Sequence, residues 1–216
     1  MHFKRNKILE NYPSKYLEIA VNELSKLPGI GRKTALRLCL FLLDQPQAFT
    51  RTLGEALIRL RENIRYCEQC HNISDEAVCR ICSDSFRDNS LVCIVESARD
   101  VMAIENTAQY RGIYHVLGGI ISPFEGKGPS DLTLAPLLAK AESGKIKEVI
   151  FALPANMEGD TTCFYLYKKL KPFVDTFTTI ARGIAIGEEL EYTDELTLGR
   201  SIMNRTSYEM PLNNKN

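Results

Sequence analysis

Four cysteines in two Cys-x-x-Cys pairs, CEQC at 67 to 70 and CRIC at 79 to 82, are the residues best placed by type and spacing to do chemistry. Each pair can form a tight knuckle whose two thiolates point the same way. Two knuckles separated by eight residues complete a tetrahedral all-sulfur set, which suits zinc at about 2.3 Å per bond. Cys67, Cys70, Cys79 and Cys82 leave such an ion no open coordination position, so about one structural zinc per chain is implied, as a staple and not a catalyst. The competing readings are a dithiol redox pair or cysteines that are merely buried, and the doubled spacing favours metal over both. His71 adjoins the set, but four sulfurs already suffice. Cys39, Cys93 and Cys163 lie within apolar stretches and read as small core residues.

The second chemical feature is LPGIGRKTALRL, residues 27 to 38. Two glycines flank an isoleucine after a proline, and a helix then opens on Arg32 and Lys33. A helix N-terminus already carries partial positive charge, so cations in its first turn are unfavourable unless an anion is supplied from outside. Gly29 and Gly31 allow close approach of another backbone, and the N–H groups of such a loop can cradle a phosphate. Lys33 and Arg37, four residues apart on one helix face, can reach adjacent phosphates. Gly29, Gly31, Arg32, Lys33 and Arg37 are therefore the candidate DNA contacts, against the alternative of a purely structural Pro-Gly turn. With no base-reading element in view, binding is expected to be independent of sequence.

These residues need elements to position them. Leu17, Ala20, Val21, Leu24 and Leu27 recur at helical spacing over residues 14 to 26, and Pro28-Gly29 ends that helix. The next helix runs from about Arg32 to Leu43. It carries two apolar stripes, one of Ala35, Leu38, Cys39 and Leu42 and one of Leu36, Leu40 and Leu43, which predicts packing on two sides. A third helix, about Ala48 to Arg65, shows Phe49, Leu53, Leu57, Leu60 and Ile64 before the pattern breaks at CEQC. From residue 90 short apolar runs at 91 to 96, 114 to 119, 148 to 153 and 176 to 181 alternate with helical stretches near 99 to 109, 132 to 143 and 161 to 171. That alternation predicts an α/β unit with a mostly parallel sheet. SPFEGKGPSD, 122 to 131, has the composition of an exposed loop, and the tail from Ser207 has that of a weakly ordered end.

Charge sharpens the division. The 216 residues are neutral overall, but residues 1 to 66 hold 12 Lys or Arg against 6 Asp or Glu, leaving 15 against 21 in the rest. A basic N-terminal module on an acidic body points to nucleic acid at one end and to protein partners or a metal at the other. No apolar run is long enough to span a membrane, and MHFKRNKILENY lacks the apolar core of a signal peptide. A cytoplasmic protein, associated with the nucleoid when bound to DNA, is expected.

The order of hairpin, four-cysteine finger and LVCIVESARDVMAIENTAQYRGIYHVLGG resembles the RecR family of bacterial recombination mediators. The likeness covers nearly the whole chain. It rests further on VESARDVMAIE, YRGIYHVLGGIISPFEGKGPSDL, the EG pair of NMEGDTT, and RGIAIGEELEYTDELTLGRSIMNR. It implies a Toprim domain in the middle region, rings (dimeric or tetrameric) that bind DNA, and work with RecO, and in some bacteria RecF, to load the RecA recombinase. The family's DNA-binding basic positions fall on Lys33 and Arg37, and its C-terminal region is implied to help subunits associate.

A Toprim domain also raises the possibility of an enzyme, since topoisomerases and primases use it to hold magnesium. In those relatives a Glu ends the first strand and an Asp-x-Asp follows the third. Glu96 fills the first role, but Pro154 and Asn156 stand at the Asp-x-Asp positions and cannot supply the carboxylates that magnesium chemistry on DNA requires. No catalytic residue is assigned. Glu96, Asp100, Glu158 and Asp160 instead form a candidate acidic surface for a basic partner, the alternative being a solvated loop. The expected architecture is an α/β multidomain chain: a helix-hairpin-helix (1–66), a zinc finger (67–89), a Toprim domain with a mostly parallel sheet (90–185), and a C-terminal oligomerisation segment with a short helix, plus tail (186–216). A non-enzymatic DNA-binding mediator is the preferred reading. A Toprim-type magnesium-dependent nuclease or primase-like enzyme is the alternative, and a pure interaction scaffold would show no salt-dependent DNA binding.

Overall fold

A computed structural model describes residues 12–206. The segments read above as lacking a signal peptide and as a weakly ordered tail lie largely outside these residues. The chain divides into two compact units with the boundary between Asn63 and Ile64.

In the first unit α1 (Lys15–Leu24) and α2 (Arg32–Leu43) form a hairpin, followed by α3 (Gln47–Asn63). The Ser14 hydroxyl caps α1 by accepting from the Tyr16 N–H. Val21, Ala35 and Cys39 are fully buried where α1 meets α2, with Leu17, Leu24, Ile30 and Leu36 around them. Ala35 and Cys39 belong to the first stripe of α2, and Leu36 of the second stripe joins them. On the second stripe Leu40 is 47% and Leu43 71% exposed, and α3 buries none of its residues. Among the described residues, Leu40 and Leu43 of α2 therefore keep exposed apolar surface, while Phe41 meets Phe49 of α3 edge-to-face at 6.1 Å.

The second unit begins with the finger. Strands β1 (Arg65–Tyr66) and β2 (Ile73–Ser74) pair antiparallel, and a short helix α4 (Arg80–Ser83) follows. Then come β3 (Asp88–Val95), α5 (Ala98–Asn106), β4 (Gly112–Val116), α6 (Ala135–Glu142), β5 (Glu148–Ala152), α7 (Met157–Leu170), β6 (Thr176–Thr179) and α8 (Glu195–Met203). Strands β3 to β6 form one fully parallel sheet in the order β4-β3-β5-β6. Its central strand β3 is apolar on both faces, as strands covered on both sides are. Val92 and Ile94 join Leu137, Ala141, Leu166 and Leu170 of α6 and α7 in one core, while Cys93 and Val95 join Val101 of α5 in a second. Ile81 of α4 packs against that second core as well as against the cysteine cluster, so the finger is seated on the sheet.

The predicted exposed loop at 122 to 131 is more ordered than its composition implies. Ser122 is buried and pairs with Lys127 through two backbone hydrogen bonds, and two 3-10 turns, Pro123–Glu125 and Pro129–Asp131, fill the segment. Helix α7 starts four residues ahead of its predicted start because Asn156 caps it, accepting from the Gly159 N–H at 2.8 Å.

Candidate metal centre and nucleic-acid interface

The finger is built so that its sulfurs converge. The His71 N–H donates to the Cys67 carbonyl at 2.8 Å, closing the first knuckle, and His71 itself adopts φ +59° to turn the chain. The Cys67 N–H donates to the Asn72 carbonyl and the Cys79 N–H to the Cys67 sulfur, at 2.8 and 3.3 Å. All four Sγ atoms lie within 4.8 Å of one another, and Cys67, Cys70 and Cys79 are buried. A tetrahedron with 2.3 Å bonds has edges of about 3.8 Å, so the set fits a zinc ion. The Cys70 and Cys79 sulfurs are already 3.5 Å apart. Their hydrogen bond holds Cys70 well above the ordinary thiol range and Cys79 well below it, since neighbouring sulfurs cannot all ionise without a cation. The four cysteines form a candidate zinc site of structural type. His71 stays outside it, stacked on Tyr66 with ring centres 4.5 Å apart. Cys39 and Cys93 are core residues, and burial pushes the Cys93 thiol up to about 12.

In the hairpin, Gly29 takes φ +79°, a conformation that favours glycine, and turns the chain out of α1. Gly31 is the N-cap of α2 in ordinary extended conformation, with no side chain capping the helix. Its backbone geometry would admit other residues, and an added Cβ would meet nothing in the chain. What the glycine leaves is open space over uncapped N–H groups at the positive end of a 12-residue helix. Arg32, Lys33 and Arg37 are all exposed beside it.

At the carboxyl ends of the parallel strands the four candidate acidic residues have separate surroundings. Glu96 follows β3. Glu158 and Asp160 sit in the first turn of α7, where the helix favours anions. Glu158 accepts from the Ser122 hydroxyl. Lys127 bonds Glu125 at 2.8 Å and also feels Glu96 and Glu158, all of which hold its ammonium above the ordinary range. Asp160 pairs with Arg182 at 2.8 Å. Asp100 folds back on the start of α5 as its capping box, accepting from the Ser97 N–H and hydroxyl at 2.8 and 2.9 Å. Ser122, Lys127 and Arg182 are thus part of this rim without having been singled out by sequence; the acidic first turn after Asn156 was the available signal. Pro154 and Asn156 are used structurally. Asn156 caps α7, and the Pro154 carbonyl occupies the space where a Cβ on Gly159 would fall.

Family models describing a RecR helix-hairpin-helix, a RecR zinc finger of the four-cysteine type, a Toprim domain and a RecR C-terminal region match residues 17–60, 64–84, 90–179 and 183–206. The chain is 58% identical over 203 residues to "Recombination protein RecR" of Flavobacterium johnsoniae, covering 94% of this chain and 98% of that one. The chain belongs to the RecR family. Other RecR relatives include those of Porphyromonas gingivalis, 58% identical over 93% of this chain and 97% of theirs, and of Bacteroides thetaiotaomicron, 57% identical over 92% and 97%. The RecR match to a four-cysteine finger covers all four cysteines, and the match to a hairpin covers Gly29 to Arg37. Among the described residues no helix is long and apolar enough to cross a membrane.

Proposed function

We propose that this chain is a DNA-binding recombination mediator without enzymatic activity, acting in recombinational repair with RecO, and with RecF where present, to promote loading of RecA on gapped DNA. The observation that carries the DNA-binding part is the uncapped, glycine-opened N-terminus of α2 with Arg32, Lys33 and Arg37 exposed beside it. The phosphate backbone supplies what that helix end lacks, and no base-reading element is needed. The relatives' name, recombination protein, supports the process.

The non-enzymatic part is supported by the carboxyl end of the sheet. Glu96 has no carboxylate pair across from it, because Pro154 and Asn156 form the turn and cap of α7. The rim of Glu96, Asp100, Glu158 and Asp160 is assigned to a basic partner; Glu96 and Glu158 both act on the charge of Lys127, while Asp160 pairs with Arg182 and Asp100 with Ser97. Assembly as a dimer or tetrameric ring is supported by apolar surface exposed among the described residues: Leu40, Leu43 and the Phe49, Leu53, Leu57 and Leu60 row of α3. The test is mass in solution by light scattering, with and without DNA. A homo-oligomer reduced to smaller species by Leu40→Asp with Leu43→Asp, both exposed in the single chain, is expected. A monomer with unchanged mass in DNA would refute the ring.

A further inference from the structure

The outer face of α7 places aromatic rings and lysines in alternation, FYLYKKLK from 164 to 171. Leu166 and Leu170 are buried in the core, which turns Phe164, Tyr167, Lys168 and Lys171 outward along about two turns of helix. Phe164 is 59% exposed. Lys168 holds its ammonium over the Phe164 ring, 4.4 Å from the centre, and Lys171 approaches the Tyr167 ring at 5.6 Å. Beside them runs β6, the strand at the open edge of the sheet. A groove of about 340 Å³ lies between helix and strand, walled by Phe164, Tyr167 and Phe177 and edged by Thr178 and Thr179. Tyr167 and Phe177 brace each other edge-to-face at 5.0 Å. The nearby carboxylate of Glu148 is occupied by the Thr178 hydroxyl at 2.7 Å, and Asp175 flanks the strand.

We propose that this face is a second nucleic-acid surface, specific for an unpaired DNA strand, with bases stacked on Phe164 and Tyr167 and phosphates paired by Lys168 and Lys171. Exposed rings interleaved with cations are what an unpaired strand needs, since every base has a face to stack and every linkage a charge to neutralise. A duplex hides its base faces, so the rings would gain nothing from it. The surface is separate in sequence and unit from the glycine hairpin, and the inference does not depend on the hairpin binding DNA. A polypeptide adding to the open edge of β6 is the competing occupant, but three lysines within four residues favour a polyanion.

The experiment uses the full chain with a short oligothymidylate carrying a photoreactive base, and with the same length of blunt duplex. Crosslinks from the single strand should map to the α7 peptide, with none from the duplex. Phe164→Ala is expected to weaken single-strand binding about fivefold or more, and Lys168→Glu with Lys171→Glu to weaken it further, while duplex affinity stays within error. All three side chains are exposed, and an unchanged melting temperature would show that the variants are folded. A Lys33→Ala, Arg37→Ala variant run alongside separates the two surfaces, because its defect should appear on both DNA forms. Wild-type single-strand affinity in folded α7 variants would overturn the proposal, as would crosslinks confined to other segments, and would leave the groove to a polypeptide strand.

Discussion

Replacing Lys33 and Arg37 with Ala gives a quantitative test of the hairpin. Both side chains are exposed and one helical turn apart, so neither supports the core of Val21, Ala35 and Cys39, and the variant should fold. If each cation neutralises one phosphate, losing both removes about two released counterions. On duplex DNA the slope of log affinity against log salt should then flatten by about 1.8, and on a single strand by about 1.4. The loss of affinity is salt-dependent in a fixed way. From the same slope it is about 200-fold at 0.05 M salt, about 30-fold at 0.15 M and about threefold at 0.5 M. Fluorescence anisotropy across that range, on two unrelated duplex sequences, measures it directly. An equal fold loss at every salt concentration would mean that the pair acts through structure, and no loss at all would make the hairpin a structural turn.

Purified protein should contain about one zinc per chain, and Cys67→Ser or Cys82→Ser should lower stability or solubility, because metal binding is folding free energy for a segment with so small a core; a stable, metal-free wild-type preparation would refute this. Burial holds the imidazole of His115 down to about 4, against a backbone hydrogen bond to the Thr133 carbonyl. Its neutral form is the folded one, so stability is retained above the unfolded value of about 6.5 and lost as pH falls toward 4, by about 2 kcal/mol at pH 5. Urea unfolding at pH 7 and pH 5 should show that difference reduced in His115→Gln. In Gly159→Ala the new methyl group meets the Pro154 carbonyl, and a loss of about 2 kcal/mol or more in thermal or urea unfolding is expected. Incubation with supercoiled, linear and gapped DNA plus magnesium or manganese should give no cleavage, joining or synthesis; turnover that disappears in Glu96→Gln would restore the enzyme reading.

What the sequence makes legible follows from how local the signal is. The cysteine knuckles, the hairpin and the strands β3 and β5 are each specified within a few residues, by spacing or by an unbroken apolar run. The parallel run of the sheet also follows from strands alternating with helices. Less legible are features that depend on contacts far apart in the chain. Ser122 is polar and sits in a Gly- and Pro-rich stretch, yet it is buried because Glu158, 36 residues away, takes its hydroxyl. The start of α7 falls earlier than expected because Asn156 acts as a helix cap, accepting from the Gly159 N–H three residues on. The second stripe of α2 is apolar as read, but periodicity alone does not reveal which neighbour covers it.

The seating of the finger has a consequence for how the protein fails. The Val116 N–H, at the end of the edge strand β4, donates to the Cys70 carbonyl at 2.8 Å. A residue of the candidate zinc site therefore also shields the rim of the sheet, and Ile81 covers the apolar face beside it. Chelation would loosen both at once. The sheet would then present an unpaired strand end next to uncovered Val95 and Tyr114, an arrangement that recruits other chains. Zinc loss should thus be detected first as concentration-dependent self-association, with most of the parallel sheet still intact.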